Sequence, residues 1–190
     1  FALAQDTFQG PDQTYWGTSS SGQIWGADAN TSNLFSITSN SGQVTNGSAL
    51  YSAVIGPWAV NADVSFTGSL NTYTNNTMGA VLRWTEGNNW YKAYLDGASL
   101  IVQKMVLGTP VVLAAAPFTA TAGTAYNVRF RIVGSTLSAV AWPKSGTQPT
   151  NWMITTTDLT FPIGSCGISI QELSPNSTAA FTSFQATRLL

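Results

Sequence analysis

Residues that break regular structure, mostly glycine and asparagine, recur about every ten positions along this chain, and between them no helical apolar period outlasts a turn or so. Such punctuation rules out a bundle of helices and predicts an all-β fold. Strands are expected at Leu34–Ser39, Gln43–Ser48, Tyr51–Ile55, Ala59–Thr67, Met78–Thr85, Trp90–Leu95, Ser99–Leu107, Thr109–Ala115, Ala125–Val133, Thr136–Ala141, Trp152–Thr157, Gly167–Gln171 and Ala179–Ala186. About a dozen strands with short links require two antiparallel sheets packed face to face. No linker interrupts the pattern, so residues 6–190 are read as a single sandwich domain and residues 1–5 as an extension or docking strand.

The clearest stretch runs from Ala80 to Lys104, where three strands are joined at Gly87-Asn88 and Asp96-Gly97, both hairpin signals. Alternation sends Leu82, Trp84, Tyr91, Ala93, Leu95, Leu100 and Val102 to one face, which has the composition of a core. The opposite face collects Val81, Arg83, Trp90, Lys92, Tyr94, Ile101 and Gln103 and is aromatic and cationic together. Tyr126-Asn-Val-Arg-Phe-Arg-Ile132 follows the same rule: Tyr126, Val128, Phe130 and Ile132 point inward, and Asn127, Arg129 and Arg131 outward. A slip by one residue would bury two guanidinium groups at a cost of several kcal/mol each, so this register is strongly fixed.

Charge narrows the functional classes. Charged residues make up 8% of the chain, and seven Lys and Arg nearly balance eight Asp and Glu. No basic run exists to grip phosphates, which argues against nucleic acid as a partner, and no apolar stretch is long enough for a membrane span. A surface kept soluble by hydroxyls and amides, with little net charge, favours association and fits a protein exported to the extracellular space or cell surface. The chain contains no histidine, which removes Ser-His-Asp and Cys-His nucleophile systems and the commonest zinc ligand. Cys166, the one cysteine, has no partner for a disulfide and reads as a small buried filler.

The succession DTF, YWG, GAVLRW, NNWYKAYLDG, TAGTAYNVRFRIVGSTL, AVAWPKSGTQPTNW, TTTD, GSCGI and AAFTSFQA, covering most of the chain from Asp6 to Ala186, resembles the concanavalin A-like, or laminin-G-like, jelly-roll domains of secreted bacterial proteins. The resemblance implies a two-sheet antiparallel jelly-roll β-sandwich. It does not choose a function, since such domains include sugar-binding modules, glucanases and adhesion domains. The glucanases carry clustered acids on one strand, whereas Asp6, Asp12, Asp28, Asp63, Glu86, Asp96, Asp158 and Glu172 are scattered here, so no catalytic pair is expected. Related jelly rolls often tie their ends with calcium. Asp6 and Asp158 could contribute, but without an acidic cluster they read better as turn and strand-end carboxylates, so no cofactor is expected.

Two functional readings remain. Phe1-Ala-Leu-Ala4 alternates large and small, with Phe1 and Leu3 on one side and Ala2 and Ala4 on the other, a shape suited to strand addition at a neighbouring copy's sheet edge. It could equally fold back on its own domain. The first reading is therefore a non-catalytic protein that self-assembles at the cell surface, as a filament or sheath subunit, through Phe1, Ala2, Leu3 and Ala4. The alternative is a carbohydrate-binding or adhesion module that holds a polysaccharide on Arg83, Trp90, Lys92, Tyr94 and Gln103, whose aromatic rings and donors match a sugar's apolar face and hydroxyls.

Overall fold

In a computed structural model describing residues 1–190, the chain forms sixteen strands and one short 3-10 turn, Asp28–Asn30. The first half contributes β1 (Ala2–Asp6), β2 (Gln13–Thr14), β3 (Gly26–Ala27), β4 (Phe35–Thr38), β5 (Ser41–Thr45), β6 (Leu50–Ala59), β7 (Ala62–Leu70) and β8 (Thr77–Glu86). The second contributes β9 (Asn89–Leu95), β10 (Ser99–Val106), β11 (Thr109–Pro117), β12 (Tyr126–Val133), β13 (Thr136–Pro143), β14 (Ile154–Thr157), β15 (Gly164–Gln171) and β16 (Thr178–Arg188). Nine strands form one antiparallel sheet in the order β14-β13-β12-β7-β16-β5-β4-β2, with β1 also paired to β16, and seven form the other in the order β11-β10-β9-β8-β15-β6-β3. This is the two-sheet antiparallel sandwich expected from the spacing of the breaks, with the jelly-roll architecture that the resemblance implies. No helix is long and apolar enough to cross a membrane.

The sheets close on one apolar core. Tyr126, Val128, Phe130 and Ile132 enter it from β12, as the alternation requires, and meet Leu82, Tyr91, Ala93, Leu95, Leu100 and Val102 from the opposite sheet. Cys166 is packed among them, and burial pushes its thiol up to about 12. A second focus is aromatic: Trp16 sits edge-on to Phe8, Trp25, Phe35 and Phe181, with ring centroids 5.0–5.8 Å apart. Strands β2 and β3 are only two residues long and were not expected from periodicity, because their placement depends on these rings rather than on a pattern of their own.

The apolar start of the chain is spent within its own sheet. β1 pairs antiparallel with β16, aligning Ala4 with Ala186 and Gln5 with Gln185. A bulge between Ala2 and Ala4 breaks the alternation, so Leu3 and Ala4 are both buried in the core while Ala2 is exposed. This corrects the expected pairing of Phe1 with Leu3 on a free docking face. The outer edge of β1 is occupied too: Gln5 N–H donates to Ser21 Oγ at 2.8 Å, Ser21 N–H to Gln5 O at 3.1 Å, and Gln23 Nε2 to Leu3 O at 3.0 Å. Phe1 stays open, 76% exposed, with the Arg188 guanidinium 5.3 Å from its ring centroid.

Candidate functional site

The first sequence-derived candidate, the outer face of the seven-stranded sheet, is closed. Lys92 pairs across strands with Val81 and Gln103, Tyr94 with Ile101, and Trp90 with Met105, so these neighbours do share a face. Yet Trp90 is 1% exposed and Lys92 4%, although neither belongs to the core. Tyr94 is paired with Gly79, where a Cβ would stand 2.6 Å from Tyr94 Cβ, so the close approach of the two strands needs a glycine there. The Lys92 ammonium sits 4.9 Å from the Trp90 ring centroid and 4.4 Å from that of Tyr94, and burial pushes its pKa down to about 8. Trp90 turns its indole N–H back to Gly87 O at 3.0 Å. Val81, Trp90 and Lys92 are thus buried while Tyr94, Ile101 and Gln103 stay half-buried, so this face presents no exposed indole to a sugar ring.

Arg83 leaves that face altogether. Its backbone is left-handed, with φ of 48°, and the β8–β9 register shifts between Leu82 and Glu86. The bulge sends the guanidinium into one end of the sandwich. There Nε donates to Val60 O at 3.0 Å, Nη1 to Phe161 O at 2.6 Å, and Nη2 to Val60 O and Gly134 O, each at 2.7 Å. Arg83 is a clamp on three loop carbonyls, not a neighbour of Lys92 on an open surface. Trp84, expected in the core, is moved to a half-buried position by the same irregularity.

The open concavity lies on the outer face of the nine-stranded sheet, in a depression of about 510 Å³. Pairing of β13, β12, β7 and β16 arranges this face in three rungs, Trp142, Asn127, Thr67 and Ser183; Val140, Arg129, Ser65 and Gln185; Ser138, Arg131, Asp63 and Thr187, of which all but the buried Val140 and Ser138 line the depression. Strands about 4.8 Å apart and rungs about 7 Å apart make this polar field roughly 14 Å on a side. Gln148, from the β13–β14 connection, and Leu189, after β16, complete the rim. The size falls within the range of small-molecule sites.

Asp63 organises the centre. Arg129 Nε donates to its Oδ1 at 2.9 Å and Arg129 Nη2 to Oδ2 at 2.8 Å, while Arg131 Nε donates to Oδ2 at 2.7 Å. Both guanidinium carbons lie 5.2 Å from the ring centroid of Trp152, so one indole holds the pair in place. In the adjoining rung Thr67 Oγ1 donates to Asn127 Oδ1 at 2.5 Å, and the Ser183 hydroxyl donates to Thr67 Oγ1 at 3.0 Å. The alternation of β12 foretold that Asn127, Arg129 and Arg131 face outward, but not that β7 and β16 align hydroxyls, a carboxylate and an amide beside them. Those partners are distant in sequence and no local signal joins them.

The other acids serve the scaffold. Asp6 Oδ2 accepts from Trp25 Nε1 at 2.7 Å, and its Oδ1 accepts from Phe8 N–H at 2.9 Å and from Ser20 Oγ at 3.0 Å. Asp158 accepts from Tyr91 Oη at 2.5 Å and Lys104 Nζ at 2.8 Å; burial pushes its carboxyl up, but the bonds from Lys104, Thr160 and Tyr91 outweigh that and hold it below the usual carboxylate range. Asp6 and Asp158, the two candidate calcium ligands, are thus already met by hydrogen-bond donors. No group of three or more Asp, Glu, Cys or His side chains is gathered anywhere in the fold.

No protein-family model matches this sequence, and no curated protein does. Among solved structures, the chain is similar to the carbohydrate binding module CBM66 from Bacillus subtilis, at 12% identity and a TM-score of 0.64, with 97% of this chain and 96% of that one covered. It is similar also to the legume lectin-like domain from Entamoeba histolytica, at 14% identity and a TM-score of 0.59, covering 88% and 90%. The GH43 BlXynB protein from Bacillus licheniformis matches at 14% identity and a TM-score of 0.70; it covers 98% of this chain, which spans 39% of that protein. These likenesses show the fold.

Proposed function

We infer that this chain is a non-catalytic carbohydrate-binding module acting outside the cell, with its site on the outer face of the nine-stranded sheet. The observation that carries the reading is the open depression in which amide, hydroxyl and guanidinium groups from β7, β12 and β16 converge beside the half-buried Trp142. A sugar needs such a field: several fixed polar partners for its hydroxyls, and an aromatic surface for its apolar side. Two structures of the same architecture, a carbohydrate binding module and a lectin-like domain, add support by analogy of fold. Strand addition through the chain's first residues loses its basis, because Leu3 and Ala4 lie in the chain's own core and the β1 edge is bonded to Ser21 and Gln23.

Native gel electrophoresis in gels cast with different soluble polysaccharides tests the reading. At least one polysaccharide should retard the protein, and Trp142→Ala together with Asn127→Ala should abolish the retardation without lowering the melting temperature by more than a few degrees. Retardation that survives this double substitution, or depends on Trp90 instead, would refute the site. No retardation across neutral and acidic polymers alike would refute the function.

A further inference from the structure

We propose that the depression selects glycans carrying an acidic group, a uronate carboxylate or a sulfate ester, seated on Arg129 and Arg131; this rests on the carbohydrate reading of the same site. The first support is the distribution of charge. The chain has seven basic side chains. Arg83 is bound to backbone carbonyls, Lys92 is closed in between two rings, Lys104 pairs with Asp158 at 2.8 Å, Arg188 lies on Phe1, and Lys144 stands alone and exposed after β13, outside the lining of the depression. Arg129 and Arg131 stand together on the open face, with side chains 27% and 33% exposed, and share one carboxylate. Two guanidinium groups less one carboxylate leave a net positive charge at the centre of a field otherwise built of neutral groups.

The second support is the balance of donors and acceptors. Both oxygens of Asp63, the strongest acceptor on the face, are taken by the arginines, and Asn127 Oδ1 is taken by the Thr67 hydroxyl. Arg129 Nη1 and Arg131 Nη1 have no protein acceptor, and the Asn127 amide N–H groups are likewise free to donate. A neutral sugar hydroxyl donates as readily as it accepts and would leave this donor excess unmatched. An ionised carboxylate or sulfate is acceptor-only and meets several donors at once with charge-assisted bonds. Trp152, stacked against both guanidinium groups, holds them in position before a ligand arrives, which lowers the ordering cost of binding.

The test is isothermal titration of the intact chain with polygalacturonate, fully methyl-esterified polygalacturonate, a sulfated galactan, a neutral arabinoxylan and double-stranded DNA. Affinity for polygalacturonate, for the sulfated galactan, or for both should exceed that for the neutral and esterified polymers about tenfold or more, and should fall several-fold between about 0.05 M and about 0.3 M NaCl. The two acidic arms tell carboxylate from sulfate. Arg129→Gln and Arg131→Gln should each remove most of that preference; if either variant fails to fold, the esterification and salt comparisons on the unaltered protein decide. Equal affinity for the esterified polymer, or binding to DNA as tight as to the acidic glycans, overturns the proposal while the carbohydrate reading stands or falls on the neutral arm. Failure of every glycan overturns both.

Discussion

Two faces of this sandwich were written in the same code and ended differently. On β9 and on β12 a basic residue alternates with core residues and has an aromatic side chain nearby, yet Lys92 is 4% exposed while Arg129 and Arg131 look into open space. Size and chemistry both contribute. On the seven-stranded sheet the outward residues of β9 are large, Trp90, Lys92 and Tyr94, and the two rings close in the Lys92 ammonium between them. On the nine-stranded sheet β7 and β16 present Ser65, Thr67, Ser183, Gln185 and Thr187, too short and too polar to cover the arginines. A lone ammonium can be closed in against aromatic rings, whereas two adjacent guanidinium groups need an anion between them and water around them. Alternation decides which way a side chain points; its neighbours on the next strand decide whether that side stays wet.

The largest expected effect comes from exchanging matched tryptophans. Trp90→Ala removes a fully buried indole and should cost about 3–5 kcal/mol of unfolding free energy, whereas Trp142→Ala, at the lip of the depression, should cost about 1 kcal/mol and act on ligand retention instead. Urea denaturation of the two variants beside the parent measures both. Similar losses in the two would mean that the faces are equally closed and that the contrast drawn between them is false.

Next in size is the charge on Lys92. Its pKa falls to about 8 in the folded chain from an ordinary 10.5, so between those values the unfolded chain binds more protons than the folded one and stability must rise with pH. Below about pH 8 the full desolvation penalty is present, offset in part by attraction to the two rings. Lys92→Met should therefore stabilise the protein at pH 7 by on the order of 2 kcal/mol, and the advantage should shrink steadily from pH 8 towards pH 10. Burial raises the tyrosines Tyr73, Tyr91 and Tyr94, which act in the opposite sense at alkaline pH, but they are common to both proteins and cancel in the difference. A difference that stays flat from pH 7 to pH 10 would show that the ammonium is not desolvated, and that this face is wetter than its geometry implies.

How much of this was legible beforehand follows the same division. The two-sheet architecture, the inward set on β12 and the hairpin at Gly87-Asn88 could be read from alternation and turn chemistry, because both are local. The parity of β8 failed at Arg83, where a left-handed residue shifts the strand and no glycine, asparagine or proline announces it. Leu3 was misplaced for a similar reason, through the bulge before Ala4. The site eluded the sequence because it is a property of four strands in register. Asp63 reaches Arg129 from 66 positions away, and Thr67 is 116 positions from Ser183. Conspicuous aromatic residues drew attention to Trp90, but a tryptophan in a sandwich is more often covered than displayed.

The smallest effect gives the finest comparison, because it uses one residue type on each face. Gln103 pairs across strands with Lys92 on the closed side, and Gln185 lies opposite Ser65, on the rung that carries Arg129. Neither lies in the core, so Gln103→Ala and Gln185→Ala should each change stability by no more than about 0.5 kcal/mol. Their effects on glycan retention should separate cleanly. Gln185 offers an amide into the depression, and losing one neutral hydrogen bond to a ligand, at about 0.5–1.5 kcal/mol, should weaken binding roughly threefold to tenfold. Gln103 lies outside the depression, and its removal should leave affinity unchanged. Affinity electrophoresis of both variants against the polymer that retards the parent reads this directly, and a loss at Gln103 equal to that at Gln185 would place the ligand across the seven-stranded sheet and reverse the assignment of the two faces.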